Sequence, residues 1–357
     1  MDIQDKLQNQ LLGSSYMALA LQTEVQAVNA CNSRDDARTL MFGAIDRLAS
    51  ETRSSKMFIG ADLKLVVLPE YFMTSYPAGE SIAAWADKAC IEMDGAEYAA
   101  LGKIAQDNDL YLAGNAYELD PHFDGLYFQT CFIIAPSGET ILRYRRLNSM
   151  FAPTPHDVWD KYLEIYGMDG VFPVVDTDIG RLAALASEEI LYPEIARALA
   201  IRGAEIIVHS TGEMGMMSET PKAICRKARA VENMVYMVSA NCGGISGHAL
   251  PTSATDGRSS IVDYQGRTLV EAGWGQTMTA HTTIDLNVLR KYRRRPGMGN
   301  LLARQRFEVF AQTYAGHGSQ TANSMLDKNG NVQVPDRKHF LDAQAKSIKE
   351  LVDKGVI

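Results

Sequence analysis

The sequence predicts an α/β protein in which two mixed β-sheets pack face to face and helices cover the outside. Short apolar runs typical of buried strands alternate with helical segments in two separate parts of the chain. Hairpin signals, such as the Pro-Ser-Gly-Glu turn at residues 136–139, lie between these two parts. A chain of 357 residues is long enough to bury the core that two packed sheets require.

One strand–helix–strand unit, at residues 181–210, is central to this prediction. Residues 182–186 are a short apolar run that fits a buried strand. Pro193 suits the first turn of a helix, Gly203 suits the position just past its end, and residues 204–208 are again apolar. Ser187 lies in the turn between the first strand and the helix. Open α/β sheets place their functional sites at this carboxyl end of a strand.

The other elements follow from the same periodicities. Predicted strands comprise residues 16–28, 64–68, 110–114, 126–135, 140–146, 234–241, 259–263, 268–272 and 279–285. Predicted helices comprise residues 35–48, 95–108 and 221–233, a helical stretch from residue 286 onward, and a final helix at 339–354. Residues 147–170 lack clear periodicity, so we expect a long loop of the kind that is usually functional. Residues 313–338 are expected to form a polar tail.

Composition and charge limit the classes of partner. Apolar residues make up 46% of the chain and charged residues 22%, which is ordinary for a globular protein. The net charge of −8 argues against a nucleic acid or an anionic membrane as the partner. Residues 1–10 lack the apolar stretch of a secretory signal, and no run is as long as a membrane helix. Five scattered cysteines without any CxxC spacing predict reduced thiols in a cytoplasmic protein rather than disulfides or a zinc site. We expect no metal and no cofactor.

Three polar positions stand at predicted strand ends: Glu70, the pair Arg145 and Arg146, and Ser187. A sharp turn after a strand is the geometry of a nucleophile elbow, which brings a nucleophile and oxyanion donors side by side. A small residue at a strand end is also typical of an ordinary tight turn. A carboxylate, a cation and a hydroxyl together form a plausible acyl-transfer set of base, charge stabiliser and nucleophile.

The motifs around these residues resemble those of the nitrilase superfamily of carbon–nitrogen hydrolases. The matching stretches are LVVLPEYF around Glu70, GNAY at 114–117, LRYRRLN around Arg146, ASEEILYPE around Ser187, GAEIIVHST and RARAVENMVYMVSAN. The resemblance implies a four-layer αββα sandwich, a homodimer or higher homo-oligomer, and a Glu–Lys–Cys triad. We expect one carbon–nitrogen hydrolase domain at residues 1–300. The remaining residues, 301–357, are expected to form a C-terminal extension that packs on a partner subunit.

Two of the three implied catalytic positions depart from the family pattern. Glu70 matches the general base, but Arg146 stands where the family has a lysine and Ser187 where it has a cysteine. Arginine keeps the charge but cannot donate a proton near neutral pH. A serine hydroxyl needs far stronger activation than a thiol, so Ser187 predicts low activity. Two explanations stay open: a deliberate Cys→Ser variant of an active enzyme, or a natural pseudoenzyme that acts as a binding or scaffold protein.

The resemblance implies hydrolysis of a non-peptide carbon–nitrogen bond in a small amide or carbamoyl substrate. Hydrolysis of a nitrile is the alternative chemistry. In the amide mechanism, the backbone N–H of Glu188 and the cation of Arg146 are expected to hold the oxyanion. Further candidates for the pocket are Asp157 as a second family acid, Tyr71, His209 and Glu213. Ordinary structural packing is the alternative reading of His209 and of the aromatic residues.

Overall fold

The computed structural model of the protein describes residues 15–214 and 219–357. Residues 1–10, for which the sequence predicts no secretory signal, lie outside the described residues. The strands in chain order are β1 (Ser15–Ala20), β2 (Val25–Gln26), β3 (Leu63–Val67), β4 (Ile91–Glu92), β5 (Tyr111–Leu119), β6 (Tyr127–Ile134), β7 (Thr140–Arg145), β8 (Val175–Thr177), β9 (Gly180–Ala186), β10 (Ile206–Ser210), β11 (Tyr236–Ala240), β12 (Ile245–Ser246), β13 (Ser260–Val262), β14 (Thr268–Glu271) and β15 (His281–Asp285).

The helices alternate with these strands and extend beyond them at the C-terminus. In chain order they are α1 (Arg34–Ile59), α2 (Ile82–Ala89), α3 (Ala96–Asn108), α4 (Trp159–Val171), α5 (Pro193–Ile201), α6 (Pro221–Asn233), α7 (Leu286–Arg294), α8 (Leu301–Arg304), α9 (Phe307–Gly316) and α10 (Arg337–Asp353). Short 3-10 helices at Pro155–Val158 and Ser187–Leu191 precede α4 and α5. The predicted helix at residues 221–233 has the bounds that the structure gives α6.

Most strands of the described residues form two large mixed sheets, and β2 and β12 pair in a separate two-stranded sheet. The first has the order β15-β1-β3-β5-β6-β7, with β4 beside β5, and its central strands β1, β3 and β5 are parallel. The second has the order β14-β13-β11-β10-β9-β8, and its central strands β9, β10 and β11 are parallel. Parallel neighbours end at the same edge of a sheet. The loops after β9, β10 and β11 therefore meet at one edge of the second sheet.

The two sheets pack face to face and helices cover their outer faces, which confirms the predicted αββα sandwich. Leu65 and Val67 of β3 belong to the apolar core that includes Ala184 of β9, whereas Val66 belongs to the core formed with Leu101 of α3. This alternation is the two-residue period of a strand buried on both faces. Helices α1 and α3 lie on the first sheet, and α5 and α6 lie on the second.

Residues 147–170 differ from the prediction of a long loop. The chain forms the 3-10 helix Pro155–Val158 and then α4, and the backbone N–H and hydroxyl of Thr154 both donate to Asp157, at 2.9 and 2.8 Å. This capping box starts the helical segment. Gly167 has a non-helical φ of 59° within α4. The break interrupts the helical period, which explains why periodicity alone did not predict the segment.

The first predicted strand and the C-terminal tail also differ from expectation. The strand predicted at 16–28 ends at Ala20, and only the short β2 follows it. Within the tail, the N–H groups of Asn323 and Met325 donate to the carbonyls of His156 and Asp157, at 3.0 and 2.9 Å. Part of the extension therefore packs on its own chain. A partner subunit for the rest stays a prediction.

The described residues contain no helix that is both long and apolar enough to cross a membrane. The five cysteines all lie within the described residues, and each is a free thiol.

Gly102 in α3 provides a test of how closely the helix approaches the first sheet. A Cβ atom at this position would lie 2.5 Å from the carbonyl oxygen of Gly138, in the turn between β6 and β7. Overpacking of this kind costs about 1–3 kcal/mol, so Gly102→Ala is expected to lower the free energy of unfolding by that amount. The matched control is Gly43→Ala in α1, where an added Cβ atom would have no non-neighbouring heavy atom of the described residues within 4 Å. Because alanine favours a helix, we expect Gly43→Ala to raise stability by about 0.5–1 kcal/mol.

Urea unfolding of the two variants measures both changes. A Gly102→Ala protein as stable as the Gly43→Ala protein would contradict the close approach.

Candidate active site

Ser187 lies at the sharp turn between β9 and the 3-10 helix Ser187–Leu191. Its φ of 42° is in the left-handed region, which is uncommon for a residue with a side chain, and the residue is only 4% exposed. Left-handed backbone of this kind concentrates at functional sites and tight turns, where surrounding contacts hold it. The turn has the backbone feature expected of a nucleophile elbow.

His209, in the neighbouring strand β10, hydrogen-bonds to the backbone of this turn. It is fully buried in β10, its Nε2 lies 2.8 Å from the carbonyl oxygen of Ser187, and its Nδ1 lies 3.0 Å from the hydroxyl of Ser239. A carbonyl can only accept, so Nε2 carries the hydrogen and Nδ1 accepts from Ser239. Burial, together with the charges of Arg226 and Lys222, holds the pKa of His209 well below its usual value of 6.5. The ring is therefore neutral and supports the elbow; whether it contacts substrate stays a prediction.

The neutral state of His209 makes stability depend on pH. On acidification the unfolded chain takes up a proton at this residue near pH 6.5, whereas the folded protein does not. The unfolded state binds more protons, so the free energy of unfolding falls below that pH, by up to about 1.4 kcal/mol per pH unit from this residue. His209→Gln keeps a hydrogen-bond donor but cannot titrate. We therefore expect this variant to lack the contribution of His209 to the fall in the free energy of unfolding at low pH. Urea unfolding between about pH 7.5 and 5 measures both slopes; equal slopes would contradict the prediction.

Glu70 follows β3 and joins the two sheets. Its backbone N–H donates to the carbonyl of Thr211, after β10, at 3.3 Å, and its carboxylate is 1% exposed. Oε1 accepts from the side-chain amide of Gln129 at 2.6 Å and lies 3.6 Å from Nη1 of Arg146. The expected base and the expected cation are therefore in contact in one buried cluster.

Arg146 connects Glu70 with the elbow. Its Nη1 donates to Oε1 of Gln129 at 2.6 Å, its Nε donates to the carbonyl of Asn148 at 2.6 Å, and its Nη2 pairs with the carboxylate of Glu188. Burial opposes the charge, but the neighbouring Tyr71, Glu70 and Glu188 hold the pKa of Arg146 above its usual value. The guanidinium is a permanent cation between two carboxylates, one of them beside Ser187.

Tyr71 lies next to this cluster with a left-handed φ of 47°. Its ring stacks on that of Tyr117, with centroids 5.4 Å apart. Burial and the charge of Glu70 raise the pKa of the Tyr71 phenol well above its usual value of 10.0. The phenol stays protonated at neutral pH and can donate a hydrogen bond.

Glu189 joins the loop after β7 to the elbow. Its carboxylate is fully buried and accepts from the hydroxyl of Tyr144 at 2.8 Å and from the N–H groups of Leu147 and Asn148 at 2.7 and 2.9 Å. Burial raises the pKa of Glu189 to about 7. These bonds fix the backbone that follows Arg146 against the turn that carries Ser187.

Lys222 was not among the residues selected from the sequence. It is the second residue of α6, and its Nζ donates to Oγ of Ser187 at 3.0 Å and to Oγ1 of Thr211 at 3.3 Å. Burial lowers the pKa of its ammonium. The signal that could have identified it is Pro221, which predicts a helix beginning just after β10, at the edge where Ser187 lies.

Asp157 and Glu213 are engaged in other contacts. Asp157 accepts from Thr154, as described above, and from the hydroxyl of Ser324 at 2.8 Å. Glu213 pairs with the buried Arg226 and accepts from the hydroxyl of Thr220. Within the described part of the chain, neither carboxylate forms a hydrogen bond or ion pair with Ser187 or Arg146. A role for these two residues toward substrate stays a prediction.

A cavity of about 640 Å³ lies beside the elbow. Glu188 and Asn148 form its wall on the side of the elbow, Trp159 lines it from α4, and His339 and Phe340 line it from α10. Its volume suits a small organic molecule. Across residues 15–214 and 219–357, no cluster of three or more His, Cys, Asp or Glu side chains is arranged to hold a metal ion.

Residues 29–294 match the sequence model of the carbon-nitrogen hydrolase family. The chain therefore belongs to the carbon–nitrogen hydrolase family, within the nitrilase superfamily. It is similar to nitrilase homolog 2 of Dictyostelium discoideum, with 25% identity over 232 residues, which are 64% of this chain and 67% of that protein. It is also similar to a formamidase of Bacillus cereus (strain Q1), with 27% identity over 211 residues and 58% of each chain covered.

The fold also matches solved structures of this superfamily. Nit3 of Saccharomyces cerevisiae, a member of branch 10, superposes with a TM-score of 0.62 at 18% identity, covering 79% of this chain and 94% of that one. At this identity the comparison shows the fold alone. The chain spans little more than half the length of the formamidase it resembles, so that protein's activity enters below only as a proposal.

Proposed function

We propose that this protein hydrolyses the carbon–nitrogen bond of a small amide, with Ser187 as the nucleophile. The observation that carries the proposal is the left-handed elbow of Ser187, whose neighbour Glu188 is tied through Arg146 to Glu70. Family membership and the similarity to the Bacillus cereus formamidase support amide chemistry.

The roles follow from charge and position. Ser187 attacks the amide carbon, and the carbonyl oxygen becomes an oxyanion near the N–H of Glu188 and the cation of Arg146. The leaving nitrogen takes up the proton that the Ser187 hydroxyl released and departs as ammonia or an amine, and Glu70 activates the water that hydrolyses the resulting ester. Gln129 and Arg146 keep the Glu70 carboxylate oriented for this step. The cavity of about 640 Å³ that Glu188 lines is of a size that admits a small organic molecule, which supports a small amide as the substrate.

Release of ammonia or amine from a panel of small amides, carbamoyl compounds and nitriles tests the proposal. We expect turnover of at least one amide, and we expect Ser187→Ala to abolish it by removing the nucleophile. Turnover of nitriles alone would favour the alternative chemistry. Turnover of nothing in the panel, or full activity in Ser187→Ala, would contradict the proposal.

A second candidate is a binding or scaffold protein that keeps the pocket without the chemistry. The specific observation in its favour is that the cation of Arg146 already pairs with Glu70 and Glu188. The sequence resemblance further implies that Arg146 and Ser187 stand where the family has its lysine and cysteine. Calorimetry distinguishes the two candidates, because this one requires an amide to bind without any product forming.

We also propose that the protein is a cytoplasmic homo-oligomer. The aromatic side chains of Phe307, Phe310 and Tyr314 on α9 are exposed and, with Ile201 of α5, line an apolar groove. Exposed apolar surface of this kind is typical of subunit contacts. Light scattering on the purified chain measures the oligomeric state, and a monomer at all concentrations would contradict this proposal.

A further inference from the structure

We infer that Lys222 and Ser187 form a serine–lysine dyad, in which the amine of Lys222 takes the proton of Ser187 as the serine attacks. This inference deepens the proposed amide hydrolysis and rests on it for its substrate. The observation that carries it is the 3.0 Å separation between Nζ of Lys222 and Oγ of Ser187. This is the hydrogen-bond distance that proton transfer between a nucleophile and its base requires.

The position of Lys222 is fixed by the start of a helix. Thr220 caps α6, since its hydroxyl accepts from the N–H of Ala223 at 3.0 Å, and Pro221 occupies the first helical turn. The side chain of Lys222 then reaches back to the ends of β9 and β10, where Nζ contacts Ser187 and Thr211. The amine therefore approaches the elbow from the second sheet's own edge.

Burial, opposed by the nearby carboxylates, brings the pKa of the Lys222 ammonium below its usual value. Burial lowers the pKa of its ammonium most; Glu70 and Glu188 raise the pKa, Arg146 lowers it, and Cys242 raises it slightly. The two carboxylates make their ion pairs with Arg146. His209, on the other side of the elbow, is neutral for the reasons given above. In its neutral form the amine accepts a hydrogen bond from the serine hydroxyl.

Lys222 suits the first proton transfer better than Glu70 does. The Glu70 carboxylate accepts from Gln129 and faces Arg146, whereas the Lys222 amine contacts the Ser187 hydroxyl directly. A serine hydroxyl needs a stronger base than a thiol does, and an amine is a stronger base than a carboxylate. Arg146 supplies the fixed positive charge and cannot accept a proton. The two basic side chains therefore have separate roles.

The dyad accounts for every bond and proton in the reaction. As Oγ of Ser187 bonds to the amide carbon, its proton moves to the Lys222 amine and the carbonyl electron pair moves to oxygen. When the oxyanion collapses, the carbon–nitrogen bond breaks and the leaving nitrogen takes the proton from the Lys222 ammonium. Glu70, the base assigned to this step above, takes a proton from water as the water oxygen bonds to the ester carbon, and that proton returns to Oγ when the intermediate collapses. The ester bond breaks in this collapse, so that one water is consumed for each amide.

Two readouts on the full chain test the dyad, and only one of them needs an amide substrate. The first is kcat/KM for any amide that the wild-type protein hydrolyses. The second is the rate at which a fluorophosphonate reagent phosphonylates Ser187, read by peptide mass spectrometry. That reaction forms an oxygen–phosphorus bond and releases fluoride, so it reports activation of the hydroxyl even if no amide is turned over.

The variants are Lys222→Met and Lys222→Arg, with Lys227→Met as the matched control. Lys227 lies on the same helix and pairs with the exposed Glu219. We expect both Lys222 variants to lower both rates by about 10²–10⁴-fold, as for loss of a general base. The control is expected to keep the wild-type rates. The wild-type labelling rate should rise with pH through a pKa below 10.5, the usual lysine value, and this step should be absent in both Lys222 variants.

Each outcome is informative about either the dyad or the proposed function. If Lys222→Met hydrolyses an amide at the wild-type rate, the dyad is wrong and the function stands. If Lys222→Arg retains both rates, charge alone is sufficient and the dyad is wrong. If no amide is hydrolysed but labelling of Ser187 depends on Lys222, the dyad stands and the proposed function fails. If Ser187 is not labelled in the folded wild-type protein, the dyad is wrong. Circular dichroism confirms that each variant is folded, and the wild-type pH profile remains a test if Lys222→Met is not.

Discussion

Replacing Ser187 by Cys is expected to raise the rate of amide hydrolysis by at least about tenfold, because a thiol ionises far more readily than a hydroxyl. Lys222 strengthens this expectation. Its Nζ lies 3.0 Å from the present Oγ, so its ammonium would stabilise the thiolate that forms there. We expect the introduced thiol to titrate below about 8.5, the ordinary value for cysteine.

Alkylation by iodoacetamide across a pH series measures this titration, with peptide mass spectrometry reporting position 187 alone. The position-specific readout matters because the chain already has five free thiols. One of them, Cys242, has its pKa raised to about 12 by burial. Adding Lys222→Met to the Ser187→Cys protein should move the titration upward, and Lys227→Met should not. An unchanged titration with Lys222→Met would contradict the contact, and no gain in amide turnover would contradict the nucleophile assignment.

Replacing Arg146 by Met is expected to lower the free energy of unfolding by about 3–5 kcal/mol, because it leaves a buried carboxylate without its cation. Glu70 is 1% exposed and lies 3.6 Å from the guanidinium. The contact with Glu188 matters less for stability, since that side chain is 41% exposed and can turn to water. Urea unfolding at neutral pH measures the loss.

The double variant Arg146→Met with Glu70→Gln separates the charge from the packing. Removing the buried charge as well should recover at least about 1 kcal/mol relative to Arg146→Met alone, because contacting residues are coupled by up to about 3 kcal/mol. Arg34→Met is the matched control: Arg34 is 40% exposed and its ion pairs among the described residues are with exposed acids, so its loss should cost about 0–1 kcal/mol. A double variant less stable than Arg146→Met would show that Glu70 does not depend on this cation.

The fold was predictable because its elements have strong local signals. The βαβ unit at 181–210 has two apolar runs, a proline at the start of its helix and a glycine past its end, and the structure has β9, α5 and β10 there. Because parallel strands end at the same edge of a sheet, the sequence also predicted that Ser187 lies close to the ends of neighbouring strands. The segment 147–170 was not predictable in this way, because Gly167 breaks the period of α4 and its capping box depends on a short 3-10 helix.

The candidate site was only partly predictable, because some of its residues stand in recognisable motifs and others reach it only through tertiary packing. Glu70, Arg146 and Ser187 stand in motifs, so the sequence identified them as candidates, and their catalytic roles stay predictions. Lys222 carries no motif. It reaches Ser187 only because α6 begins beside β10 and directs a long side chain back across the sheet edge.

The sequence by itself determined the αββα sandwich, the family and the sharp turn at Ser187, because apolar periodicity, turn residues and motif order are local properties of the chain. Only the tertiary structure decided which charges meet there. Hydrogen bonds and ion pairs act over about 3–4 Å, and strand pairing and helix packing set those distances between residues far apart in sequence. For that reason the pairing of Arg146 with Glu70 and Glu188, and the amine of Lys222 beside Ser187, follow from the packing of the two sheets and α6.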